Sequence, residues 1–310
     1  MKKFLLASLL LSCVCLMLFS CDTKKDILDE YYSFVDSDGY SVSLSKMPER
    51  VAVLFSSYVE MWTLAGGNTY ITVGESIERG LCDENVLLVD TGAGKSINYE
   101  LLISYKPDFV ICSSDIAAQK QVISFLRELN IPCASFKVEN FEDYLSMLSI
   151  LTDITGKKEN YKLYGTDIKS NIDTLLSKTA NKPQKRILFI RASSSAKSTK
   201  AKTASDHFVA LMLQELGTYN IAENAPILLD SLSVEEIIRE NPDCIFISTM
   251  GDSKKAENYI SSLFKTEAYK DLDAIKNGKY YFLDKDLYQF KPNDRWYDAY
   301  LRLWEILYEE

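Results

Sequence analysis

The sequence predicts an α/β protein of two lobes, each built on a mostly parallel sheet, joined by a single long α-helix. Three observations predict it. The segment Asn98–Ile111 returns 135 positions later as Ser233–Phe246. Each copy carries a polar cap (Asn98, Ser233), a glutamate in the first turn (Glu100, Glu235), an apolar helical stretch, then Pro-Asp (Pro107-Asp108, Pro242-Asp243) and a β-branched and aromatic run. On both sides of the chain's middle, short apolar runs alternate with helical patterns, as in Rossmann-like units. Between about 140 and 177 the pattern is helical only. Proline ends each repeated helix, so the run that follows has the length of a buried parallel strand.

The elements follow in order. Lys2 and Lys3, an apolar stretch from Phe4 to Phe19 and then Cys21 read as an export signal over 1–20. Leu18, Ser20 and Cys21 resemble a bacterial lipoprotein box, which implies lipidation of Cys21 and a membrane anchor for an extracytoplasmic globular part. Residues 21–46 form a tether and an edge hairpin: Tyr32 to Val35, a turn at Asp36–Gly39, then Tyr40, Val42 and Leu44 in alternation. The amino-terminal lobe spans 47–155, opening with the strand Arg50–Phe55 and adding strands near 70–74, 86–89, 108–112 and 133–138. The linking helix occupies 156–180, the second part of that helical region beyond a break near Gly156, and its helical stretch of about 20 residues reaches about 30 Å, enough to cross from lobe to lobe. The carboxy-terminal lobe spans 181–310, with strands from Arg186, at 243–248 and at 279–283, and a closing helix to Tyr308.

Composition excludes several functions. A net charge of −9, moving to −11 once Lys2 and Lys3 leave with the signal, argues against nucleic acid, whose phosphates are met by clustered Lys and Arg. The cysteines of the mature chain have no zinc spacing and no disulfide framework, and Cys112 and Cys244 lie on or beside strands as small apolar residues. The single histidine, His207, is too few for a zinc or manganese site, and no G-x-S-x-G accompanies it, so a binding protein is read here rather than the rival, an extracellular α/β enzyme acting on a metal chelate.

This order of elements resembles the substrate-binding lipoproteins of ABC importers for iron–siderophore, haem and cobalamin, the rigid-helix or class III periplasmic binding proteins. The resemblance is carried by Asp38-Gly39 through Pro48 and Arg50–Leu54, by Val73–Ser76, by Asn98 through Ile111, by Leu213–Gly217 with Asn220-Ile221, and by Glu235 through Asp243. It implies a monomer that captures a metal chelate between its lobes, an iron complex, haem or cobalamin as transported ligand rather than cofactor, and a permease with its ATPase as partners. It also implies that Glu100 and Glu235 dock onto the permease. On the residues alone, both glutamates equally suit a helix amino terminus.

Ligands of such sheets sit at the carboxyl ends of the strands. That rule selects Ser57 and Tyr58 after the first strand, Arg79, and Lys95, the last being either a contact or a solvated loop lysine. The loop around Lys95 is only half a P-loop, because Val89 stands where its first glycine is needed. In the second lobe it selects Arg191 and Lys197, as cleft cations or a solvated run, and Tyr288, Phe290 and Arg295 from an aromatic loop. Trp296 suits the core equally well. His207 is either an axial haem ligand or a helix cap.

Overall fold

The computed structural model describes residues 31–90 and 96–309; the signal sequence, Cys21 and Lys95 lie outside the described residues. A hairpin of β1 (Tyr32–Val35) and β2 (Ser41–Leu44) packs on the first lobe. Asp36 closes its turn by accepting from the Asp38 and Tyr40 N–H groups, and it joins the hairpin to the lobe through Ser135 N–H and Arg127, the latter at 2.8 Å.

The first lobe is a parallel five-stranded sheet in the order β5-β4-β3-β6-β7, where β3 is Val51–Val53, β4 Ile71–Thr72, β5 Leu87–Leu88, β6 Phe109–Ser113 and β7 Cys133–Phe136. The second has β8 (Arg186–Ala192), β10 (Tyr219–Asn220), β11 (Cys244–Thr249) and β12 (Tyr280–Phe282) in the parallel order β10-β8-β11-β12. The short β9 (Lys200–Ala201) adds an antiparallel turn onto β8. Strand order reverses between β3 and β6 in one lobe and between β8 and β11 in the other, so the crevices open at the carboxyl ends of those strands.

The repeat is deeper in three dimensions than in sequence. Asp108 accepts from the N–H groups of Glu49 and Arg50, and Asp243 from that of Arg186, so each Pro-Asp pins the entry to its lobe's first strand. Arg50 donates to the carbonyls of Tyr105 and Lys106, and Arg186 to that of Glu240, closing the carboxyl end of the preceding helix in both copies. The two guanidiniums lie over Tyr70 at 4.2 Å and Tyr219 at 5.2 Å. The residue before each proline, Lys106 and Asn241, sits in the left-handed region at φ 50° and 39°.

The helix Phe141–Thr155 is capped by Asn140, whose side chain accepts from Asp143 N–H, and ends at Gly156 with φ 71°. From Lys158 the chain is helical to Ser177, with a π turn at Lys162–Thr166 whose Tyr164 carbonyl accepts from the Tyr144 hydroxyl at 2.8 Å. One core runs from the first lobe through these helices into the second. Trp296 is fully buried at its centre, against Phe141, Tyr144 and Phe208, which come from the linking region and the second lobe. This buried join packs the lobes together on one side of the cleft.

Candidate functional site: the interlobe cleft

A cavity of about 530 Å³ lies between the lobes, bounded by Phe55 after β3, Ser113 and Asp115 at the end of β6, Glu139 and Asn140 after β7, Arg191 on β8, and His207, Phe208 and Lys291 of the second lobe. Phe55, Ser113, Asp115 and Arg191 stand at or just beyond strand ends where the order reverses. The volume suits a small organic ligand or chelate.

The two walls differ in charge. Arg191 and Lys291 belong to the second lobe, and neither has an ion-pair partner within 4.0 Å among the described residues. Burial pushes the pKa of both down. Asp206, whose charge acts on Arg191, is already engaged: it accepts from Thr203 N–H and pairs with Lys202 at 2.7 Å. Burial would raise its pKa, but these bonds outweigh burial and lower it. On the first lobe's wall Glu139 pairs with Lys137 at 2.6 Å, while Asp115 has no ion pair among the described residues and is held above the usual carboxylate range by burial.

Beside the cavity the lobes touch through a polar clasp. The amide of Asn293, fully buried, donates to the Ser57 carbonyl at 3.0 Å and to Glu60 at 2.7 Å. Arg79 donates to the hydroxyls of Ser56 and Ser57, stands 3.8 Å from Glu60, and covers the Phe290 ring at 3.9 Å. The clasp thus holds the loop that carries Lys291.

The residues selected from sequence divide accordingly. Arg191 and His207 line the cavity. Ser57, Arg79 and Phe290 meet in the clasp at its edge. Tyr58 and Tyr288 are core residues instead, fully buried with their hydroxyls on the carbonyls of Phe136 and Ala299. The reason for Tyr58 is that the helix Ser56–Leu64 begins at once after β3 and turns its first residues inward. Lys197 is exposed on the turn before β9, a turn that Ser193 and Thr199 close on itself, away from the cavity. Arg295 reaches the Asp286 carbonyl rather than the cavity wall.

A family model described as "Periplasmic binding protein" matches residues 51–287. The chain belongs to that family. The "Fe(3+)-citrate-binding protein YfmC" of Bacillus subtilis (strain 168) is 22% identical over 260 residues, covering 81% of this chain and 78% of its own length. Among solved structures, Staphylococcus aureus SirA complexed with staphyloferrin B matches with a TM-score of 0.67 and 18% identity, over 90% of this chain and 97% of its own. S. aureus IsdE complexed with heme matches with a TM-score of 0.67 and 16% identity, over 84% of this chain and 98% of its own. At these identities the structural matches show the fold of a class III periplasmic binding protein.

Sequence reasoning about this periplasmic binding protein missed Phe55, Asp115 and Lys291. The strand-end rule points to the first two, since each directly follows the carboxyl end of its strand or lies two residues beyond it. Lys291 is flanked by Phe290 and Pro292, and the aromatic character of that loop drew attention to its neighbours. Among the described residues no group of three or more His, Cys, Asp or Glu could hold a metal ion.

Proposed function

We propose that this chain is the extracytoplasmic substrate-binding protein of an ABC importer, anchored through a lipid on Cys21, and that it captures an anionic ferric chelate between its lobes. The observation that carries this reading is the pair Arg191 and Lys291, two cations facing one cavity, neither in an ion pair within 4.0 Å among the described residues, although Asp115, Glu139 and Asp206 line the same cavity. A half-buried charge without a partner costs free energy that an anionic ligand recovers. A ferric chelate made with carboxylate or phenolate oxygens supplies the anion, and guanidinium and ammonium groups match such oxygens. The Bacillus relative is an Fe(3+)-citrate-binding protein and SirA is complexed with staphyloferrin B, and both support the chelate class. Delivery to the permease then uses Glu100 and Glu235, which stand exposed in the first turns of the helices Tyr99–Ser104 and Val234–Glu240.

Haem is the second reading, because His207, Phe55 and Phe208 line the same cavity and propionates suit the same cations. Titration of the purified protein with ferric citrate, haemin and cobalamin, followed by tryptophan fluorescence and visible absorption, tests both. Saturable ferric citrate binding that weakens at least tenfold in Arg191→Ala/Lys291→Ala is expected, each charged contact being worth about 1.5–3 kcal/mol. Binding of cobalamin alone, indifferent to the double substitution, would overturn the proposal.

A further inference from the structure

His207 occupies the amino end of the helix Phe208–Glu215, and its Nδ1 accepts a hydrogen bond from the Val209 N–H at 3.2 Å. A ring nitrogen that accepts carries no proton, so in the neutral imidazole the hydrogen sits on Nε2. The ring is neutral across ordinary pH: burial first, then the neighbouring Arg191 and Lys291, push its pKa down to about 3 against the opposing pull of Asp206. Lys202 acts in the same direction as the other cations. Phe189, with its ring centre at 4.8 Å, and Phe208, stacked at 5.1 Å, hold the ring in place. His207 lines the cavity beside Arg191 and Lys291, and Nε2 has no hydrogen-bond partner among the described residues.

We propose that His207 is a neutral hydrogen-bond donor of the chelate site, its Nε2–H meeting an oxygen of the bound ligand while its cap on Val209 withholds it from iron. The inference rests on the ferric-chelate reading and narrows it. To ligate a metal through Nε2 the ring must move its proton to Nδ1, which breaks the cap and leaves the Val209 N–H without its partner. Beside the two cations, His207 therefore offers a neutral donor and no lone pair, while the acceptor oxygens of the cavity belong to side chains such as Asp115, Glu139 and Asp206. A histidine held this way favours a chelate whose iron is already enclosed by oxygens and that presents an acceptor outward, over a complex that needs an imidazole at an open coordination position.

The chain holds one histidine, so the two-bond ¹H–¹⁵N correlation of the labelled imidazole reports His207 without assignment. The expected spectrum is the Nε2–H tautomer, unchanged from pH 5 to 8. Asparagine retains a capping oxygen but lacks the reach to Nε2, so His207→Asn separates the cap from the donor. Ferric citrate affinity should fall roughly tenfold in that variant, with the melting temperature nearly unchanged and the haemin Soret band the same in both proteins. An Nδ1–H tautomer, titration near 6.5, or a haemin Soret shift lost in His207→Asn overturns the assignment. Equal ferric citrate affinity in the two proteins overturns it too, while leaving the carrier reading intact. Failure of the carrier reading looks different: the wild-type protein then shows no ferric citrate binding at all, and the donor role falls with it.

Discussion

The Arg79 guanidinium lies 3.9 Å over the ring of Phe290, and this contact joins the first lobe to the loop that presents Lys291 to the cleft. Asn293 completes the join by donating to Ser57 and Glu60 across the lobes. Ligand affinity and lobe orientation therefore share residues.

Asn293 sits at φ 54°, where a side chain other than Asn is strained. Asn293→Ala should cost roughly 2–4 kcal/mol in urea unfolding, since it removes one neutral and one charge-assisted hydrogen bond and retains a Cβ in the left-handed region. The unpartnered Oδ1 of Asn293 offsets part of that loss. Asn293→Gly should recover about 1 kcal/mol relative to alanine. Equal stability of the two variants would mean that backbone strain plays no part.

Glu60 gives the clasp a pH dependence. Its carboxyl is held above its ordinary 4.5, because burial outweighs the opposing Asn293 amide and Arg79 guanidinium. A raised folded pKa means that the native state holds the proton more tightly than the unfolded chain. The contribution is fully present below the unfolded pKa and is lost as pH rises through the folded one. The stability of wild type relative to Glu60→Gln should therefore be greatest near pH 4 and decline as pH rises past the raised pKa. A difference that grows from pH 4 to 8 contradicts this.

The repeated Pro-Asp corners differ in one testable respect. Lys106 adopts φ 50° on an exposed corner, so Lys106→Gly should stabilise by about 0.5–1 kcal/mol. Asn241 tolerates the same region better, and its amide donates to Asp273 at 2.8 Å. Asn241→Gly should therefore be neutral or destabilising. Chemical denaturation of both variants decides; a matching gain in each would show that the Asp273 bond contributes nothing.

Much of this architecture is legible in the sequence because it depends on residues that act locally. Proline ends Tyr99–Ser104 and Val234–Glu240, glycine ends Phe141–Thr155, and apolar runs mark β6, β8 and β11. The cleft is less legible, since the strand-end rule names a loop and not the direction of a side chain. At the end of β3 the rule finds the correct turn, yet Phe55 faces the cavity while Tyr58, three residues on, is core. Trp296 falls on the core side of its two readings because helices from both lobes converge on it. The cap of His207 depends on a ring orientation that no spacing specifies.

Asp115 is the carboxylate that opposes the proposed ligand. It faces the cavity from the first lobe, and Lys291 is the largest charge acting to lower its raised pKa. An anionic chelate brought against Arg191 and Lys291 meets repulsion from Asp115. Asp115→Asn should tighten ferric citrate severalfold, chiefly at low salt, where charges across a solvated cleft are least screened. Weaker binding in Asp115→Asn would mean that Asp115 contacts a positive or donor group of the ligand.

Glu100 and Glu235 test the delivery step apart from the binding step. Both lie in first turns capped by a neighbouring side chain, Asn98 accepting from Leu101 N–H at 3.0 Å and Ser233 from Glu236 N–H at 3.4 Å. Because the caps satisfy those amides, each helix stands without its glutamate, and the loss of a macrodipole contact costs only about 0.3–1 kcal/mol. Neither residue lines the cavity. Glu100→Ala/Glu235→Ala should therefore leave chelate affinity and melting temperature nearly unchanged while abolishing uptake in cells that depend on this protein for iron. Because the two lobes repeat one unit, single variants should each retain part of the uptake. Lost affinity in the purified double variant would assign the glutamates to the ligand, and undiminished uptake would assign them to helix stability alone.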